Sequence, residues 1–234
     1  GKTIVSASFD QTIRLWDVET GRPTLELRGH QGPVNGVSFS PDSRRIVSAG
    51  SDRTLRTWEI EQGRILNVFG GNADILVDVE HSPDGAHVAS ASNDGTVHLW
   101  DADSGRLIRT FDGRHDGGVN QVDFSRDGQL LATTSDDGDI RIWNVETGTL
   151  RSTLEEHSEP TYGGRFDSTA SRLVSSGYDA DIRLWDLTAG TSRIVARCGQ
   201  GGAYTDFSPD DRDVVAACED TTAVVVDIES TQSI

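Results

Sequence analysis

Three residue sets in this chain carry the side chains of acyl-transfer chemistry: His30, Ser48 and Asp52; His115, Thr133 and Asp137; and His157, Ser175 and Asp179. A hydroxyl that gives its proton to an imidazole held by a carboxylate is the general arrangement of a nucleophilic hydrolase. Such a set is needed only once. Here the intervals of 18 and 4 residues recur three times, and six residues after each Asp stands a tryptophan, Trp58, Trp143 or Trp185. An indole N–H, a hydroxyl, an imidazole and a carboxylate buried together can satisfy one another in a chain. The expectation is therefore a structural tetrad in each unit and no catalytic residue.

Other chemistries find less support. His81, His87 and His98 fall within one unit, but no acid or cysteine stands at matching positions to complete a metal site. Asp136-Asp137-Gly138-Asp139 lacks the distant Glu and alternating ligands of a calcium loop and reads as a hairpin turn. Lys2 is the only lysine, so a phosphate-cradling loop of the Gly-x-x-x-x-Gly-Lys type is excluded. No cofactor and no metal are expected. The net charge of −17 argues against a nucleic-acid partner, whose phosphates call for a basic face. No apolar run reaches the roughly 20 residues that span a bilayer, so no membrane partner is expected. Cys198 and Cys218 are too few for a disulfide framework, and a reducing, cytoplasmic setting is the expectation.

The elements that must position these residues follow from periodicity. Trp16, Trp58, Trp100, Trp143 and Trp185 are the five tryptophans, spaced 42 or 43 residues apart, and Val226 holds the same place in a sixth unit. Each unit alternates apolar and polar residues, as in Val34-x-x-Val37-x-Phe39, which signals strands. Turns fall at Ser40-Pro41-Asp42, Ser82-Pro83-Asp84-Gly85, Arg126-Asp127-Gly128 and Ser208-Pro209-Asp210, at Asp94-Gly95 and Asp137-Gly138, and at Gly21, Gly63, Gly105, Gly148 and Gly190. Three turns per unit leave room for four short strands, giving 22 recognisable strands in all.

With Gly29-His30 and with Trp-Asp at Trp16-Asp17, Trp100-Asp101 and Trp185-Asp186, the repeat resembles the WD40 signature. The resemblance implies an all-β propeller of four-stranded antiparallel blades, with residues 1–234 forming a single repeat domain of about five and a half repeats. The absence of an initial Met and the incomplete first and last units suggest a fragment, truncated at both ends, of a closed seven-bladed ring. The implied function is a non-catalytic protein-interaction scaffold, the sensing or docking arm of a larger signalling protein. Its partner would be a protein or peptide held by surface loops. The alternative is a propeller enzyme or metal-binding propeller using its channel, where the inner strands offer Asp78, Asp123 and Asp206. Phe9, Tyr162, Tyr178 and Tyr204 are the candidate partner-binding residues, since interface energy concentrates in aromatic side chains.

The pattern also departs from itself. Asn72 replaces the His and His81 the core Phe in the unit ending at Trp100, and the last unit has Cys198 or Gly199 for His, Ala216 for Ser and Val226 for Trp, keeping Asp220. Arg14, Arg56, Arg141 and Arg183 stand two residues before their tryptophans, where the stems should cover apolar surface while the guanidinium reaches water or an acid on a nearby turn.

Overall fold

The short alternating segments become strands, and each hands over to the next at the turn residues. The computed structural model describes residues 1–70, 72–111 and 115–229, in two compact units, Gly1–Thr110 and Phe111–Ile234. In the first unit, β1 (Thr3–Ala7), β2 (Thr12–Asp17) and β3 (Pro23–Arg28) form one sheet. A second comprises β4 (Val34–Phe39), β5 (Arg45–Gly50), β6 (Leu55–Glu59) and β7 (Arg64–Phe69), and a third β8 (Leu76–His81), β9 (His87–Ser92), β10 (Val97–Asp101) and β11 (Leu107–Thr110). The second unit holds a fourth sheet, β12 (Val119–Phe124), β13 (Leu130–Ser135), β14 (Ile140–Asn144) and β15 (Leu150–Leu154), and a fifth, β16 (Thr161–Phe166), β17 (Arg172–Gly177), β18 (Asp181–Asp186) and β19 (Thr191–Arg197). The sixth is β20 (Gly202–Phe207), β21 (Asp213–Cys218) and β22 (Ala223–Asp227). Neighbours in each sheet are consecutive in the chain and antiparallel, so every sheet is a meander.

Packing explains why β5, β9, β13, β17 and β21 carry apolar residues at adjacent positions. In β5, Ile46 joins Ile13, Leu15, Leu27, Val34 and Trp58 in a layer between the first two sheets. Val47 and Ala49 point the other way, into a layer with Leu76, Val79, Val88 and Trp100 of the third. The second unit repeats the device: Leu173 packs toward the fourth sheet and Val174 toward the sixth. A sheet covered on both faces needs apolar residues at both parities, and each sheet's stability depends on its neighbours. On the last sheet of the second unit the same positions lie open. Val225 is 69% exposed on β22, whereas Leu184, its counterpart on β18, is 8% exposed.

Cys198 and Cys218 are joined in a disulfide. One pair makes one bridge, not a framework, where the fold brings their Cα atoms to 5.6 Å.

Two local features cost stability. The turn between the second and third strands of a sheet holds a left-handed residue; Gly95 and Gly138 take φ of 84° and 87°, but Thr221 is held at 69°. A β-branched side chain there is strained. Thr221→Gly should raise the unfolding free energy by about 1 kcal/mol, read from urea titrations.

The second is His81, buried at the position that Phe39, Phe124, Phe166 and Phe207 occupy elsewhere. Its Nδ1 is buried without a hydrogen-bond partner among the described residues. Burial, with Arg45 nearby, pushes its pKa down to about 4. The folded protein therefore holds the neutral ring, and its contribution is intact above the unfolded value near 6.5 and lost as pH falls toward 4. His81→Phe should raise stability at pH 7 by about 1–3 kcal/mol, the cost of an unsatisfied buried polar group. It should also flatten the loss between pH 6.5 and 4; denaturation midpoints across that range measure both effects.

Candidate functional site

Each predicted tetrad closes into one hydrogen-bonded chain. In the second sheet, the Trp58 indole donates to Ser48 Oγ at 2.8 Å, Ser48 Oγ lies 2.8 Å from His30 Nε2, and His30 Nδ1 is 3.0 Å from each oxygen of Asp52. The carboxylate fixes the direction of the protons: His30 is protonated on Nδ1 and donates to Asp52, so Nε2 accepts the Ser48 hydroxyl. The fourth sheet repeats this through Trp143, Thr133, His115 and Asp137 at 2.9, 2.8 and 2.9 Å. Trp185, Ser175, His157 and Asp179 do so in the fifth at 2.7, 2.7 and 2.9 Å. The Ser and Thr members are fully buried, and each oxygen already accepts an indole proton. Buried and already bonded, these hydroxyls are not open to a substrate carbonyl in this arrangement.

The Asp ties this chain to the loop before the inner strand. Asp52 accepts the Gln31 N–H at 2.8 Å and Asp137 the Asp116 N–H at 3.0 Å. Burial alone would push Asp52 up; hydrogen bonds from Gln31, Thr54 and His30 overcome it and hold the carboxyl at about 2. Burial lowers His30 and His115, with Asp52 and Asp137 opposing it. Arg14, Arg56 and Arg141 lean on acids of their own hairpin turns, Asp10 at 2.7 Å, Asp52 at 3.3 Å and Asp137 at 3.7 Å, whereas Arg183 pairs with Glu156 at 2.8 Å and with Asp181 of its own strand at 3.3 Å. In the third sheet Trp100 still donates to Ser90, but Asn72 turns its amide to the Arg53 carbonyl, and Asn72 Oδ1 and His98 Nδ1 lack hydrogen-bond partners among the described residues.

This latch presents one variable residue per sheet, the residue just before the latch Asp: Phe9, Ser51, Asn93, Asp136, Tyr178 and Glu219. From the second sheet onward its N–H is pinned by a carbonyl of the preceding loop: Ser51 to Pro33, Asn93 to Ile75, Asp136 to Gly118, Tyr178 to Pro160 and Glu219 to Gly201, all at 2.8 or 2.9 Å. The backbone is thus held while the side chain is free to differ. Phe9 is 82% and Tyr178 52% exposed. Tyr162, half-buried on β16, lies edge-on to Tyr178 with ring centroids 6.4 Å apart. Burial and the nearby Asp136 and Glu219 push the Tyr162 phenol up. In the second unit the loop face therefore offers an aromatic pair flanked by two acids. Those acids were not among the expected site residues; their place before the latch Asp was the available signal.

Tyr204 lies exposed on β20, lining a depression with Gln121, Arg165, Thr205, Asp206, Val215 and Ala217. The inner-strand acids differ from one another. Asp123 accepts Arg165 at 2.6 Å and the Phe166 N–H at 2.8 Å, Asp206 accepts the Phe207 N–H, and Asp78 stands two residues earlier on its strand than these do on theirs. Among the described residues, no group of three or more His, Cys, Asp or Glu has metal-holding geometry.

Ser48 is the node of its tetrad, so Ser48→Ala strands both the His30 imidazole and the Trp58 N–H. It should cost about 1–3 kcal/mol in urea unfolding. Adding Trp58→Phe should cost less than the sum of the two single changes, because they share one partner.

The WD domain, G-beta repeat family model matches residues 1–17, 21–59, 63–101, 105–144 and 148–186. Human F-box-like/WD repeat-containing protein TBL1Y is 58% identical over 41 residues, 18% of this chain and 8% of that protein. The Arabidopsis thaliana WD40 repeat-containing protein HOS15 is 48% identical over 40 residues, 17% of this chain and 6% of its own length. Ribosome assembly protein 4 of Chaetomium thermophilum is 46% identical over 41 residues, 18% of this chain and 8% of that protein. The matched stretch thus spans less than a tenth of each relative. The sixth sheet, which lacks the Trp and His of the latch, lies outside the matched residues. With its repeats matched over most of its length and six antiparallel sheets built to one plan, the chain belongs to the WD40 repeat family, whose β-propeller blades these sheets are.

Proposed function

We propose that this chain is a non-catalytic docking module, the protein-binding arm of a larger signalling protein. The observation that carries the reading is the Tyr162–Tyr178 pair with Asp136 and Glu219 beside it, on a loop face whose backbone is pinned and whose side chains vary. Aromatic rings with one exposed face and a rim of carboxylates suit a partner segment that presents an Arg or Lys beside an apolar side chain. The chain's net charge of −17 would steer such a segment toward it. Phe9, 82% exposed at the equivalent position of the first sheet, offers a second anchor of the same kind.

Two substitutions separate the contributions. Once a partner is recovered by affinity isolation of the full-length protein, Tyr178→Ala should raise its dissociation rate about tenfold or more, an anchor loss of at least ~1.4 kcal/mol. Glu219→Gln should chiefly slow association and weaken its dependence on salt. Surface plasmon resonance at two ionic strengths reads both rates. Unchanged kinetics in both variants, with thermal stability preserved, would remove this face from the interaction.

A further inference from the structure

The sixth sheet keeps its loop in place without the hydrogen-bond latch of its neighbours. Cys198 holds the place of His30, His115 and His157, and Cys218 the place of Gly50, Ser135 and Gly177. Ala216 and Val226 replace the hydroxyl and the indole, so the middle of the chain is gone. Only Asp220 persists, where Thr222 and the Gly199 backbone lower its carboxyl, as partners of the same kind do for Asp52.

The geometry of the intact sheets shows what the two cysteines do. A Cβ added at Gly50 would lie 2.5 Å from His30 Nδ1, and one at Gly177 would lie 2.9 Å from His157 Nδ1. These two backbone positions therefore face each other across the latch, close enough that a glycine, or in the fourth sheet the small Ser135, stands opposite the imidazole. With cysteine at both, the space is filled by a bond: Cys198 and Cys218 are joined, their Cα atoms 5.6 Å apart. Both are buried, at 7% and 8% exposure, within the layer formed by Val174, Ile182, Val195, Val214 and Ile228.

We propose that the Cys198–Cys218 disulfide is a covalent latch that replaces the His–Asp link and holds the 198–201 loop of the sixth sheet, so that reducing it frees the loop. The loop it holds touches the aromatic face. Glu219 donates its N–H to the Gly201 carbonyl at 2.9 Å, and a Cβ at Gly201 would meet Tyr178 Cδ2 at 3.1 Å. The consequence for partner binding rests on the docking reading above; the latch itself does not. Reduction by a dithiol would proceed by attack of one thiolate on a cysteine sulfur, release of the other cysteine as thiolate, and displacement of the mixed disulfide by the second thiol. The two protein cysteines end as thiols and the reductant as a cyclic disulfide. Because both sulfurs are buried, attack requires the sheet to open first. A bond of this kind is ordinary in oxidising compartments and rare in the cytosol, so the redox state of the full-length protein also bears on where it resides.

The test is amide hydrogen exchange of the full-length protein, oxidised and after dithiothreitol, with alkylation of the denatured protein to count thiols. Expected are no free thiols at 198 and 218 before reduction, and at least a tenfold faster exchange across 198–222 after it, with residues 157–179 unchanged. The combined substitution Cys198→His, Ala216→Ser, Cys218→Gly and Val226→Trp installs the tetrad of the fifth sheet and should make exchange in this region indifferent to dithiothreitol. Should that variant not fold, Cys198→Ser with Cys218→Ser serves in its place and should match the reduced wild type. Two free thiols in protein purified without reductant, or equal exchange in the oxidised and reduced wild type, would overturn the proposal. Since no partner enters the measurement, its failure is separable from failure of the docking face.

Discussion

A sheet buried on both faces leaves its turns and connecting loops little water to bond with, and the His–Ser/Thr–Trp–Asp chain answers that constraint. It runs from an indole on the third strand, through a hydroxyl on the second, to an imidazole and a carboxylate on two different loops. Every donor meets an acceptor within about 3 Å in three sheets, so no member bears the cost of unsatisfied burial. The loop before the inner strand and the turn after the second strand are thereby held together, and the side chains between them are presented in fixed places.

This arrangement separates stability from specificity. The latch Asp and the pinned N–H of the residue before it repeat from sheet to sheet, whereas that residue changes from Ser51 to Asn93, Asp136, Tyr178 and Glu219. A side chain whose backbone is fixed by others can differ without endangering the sheet. Variation at such positions costs the fold little, which is why a constant frame can present an aromatic pair beside two carboxylates.

The departures show what the frame tolerates. In the third sheet, Asn72, His81 and His98 each leave a buried polar atom without a partner among the described residues. The apolar layer on the face of the second sheet, from Val47 and Leu55 to Val88 and Trp100, supports the fold despite them. The sixth sheet has lost three of the four latch members and retains its shape with a covalent bond at the same place. Neighbour packing and a local tie are thus partly interchangeable sources of order.

Residue spacing by itself determined the repeat, the strands and their turns, and the membership of each tetrad, because these depend on intervals along the chain: 22 residues from His to Asp and 10 from hydroxyl to indole recur wherever the sheet is intact. Tertiary structure alone decided what meets across those intervals. It joined Cys198 to Cys218, paired Tyr162 with Tyr178 beside Asp136 and Glu219, and closed Asp123 onto Arg165. The physical reason is one of range. Turn chemistry and side-chain parity act within a few residues and repeat with the chain, whereas these contacts depend on the distance and angle between segments set by close packing, which no local pattern specifies.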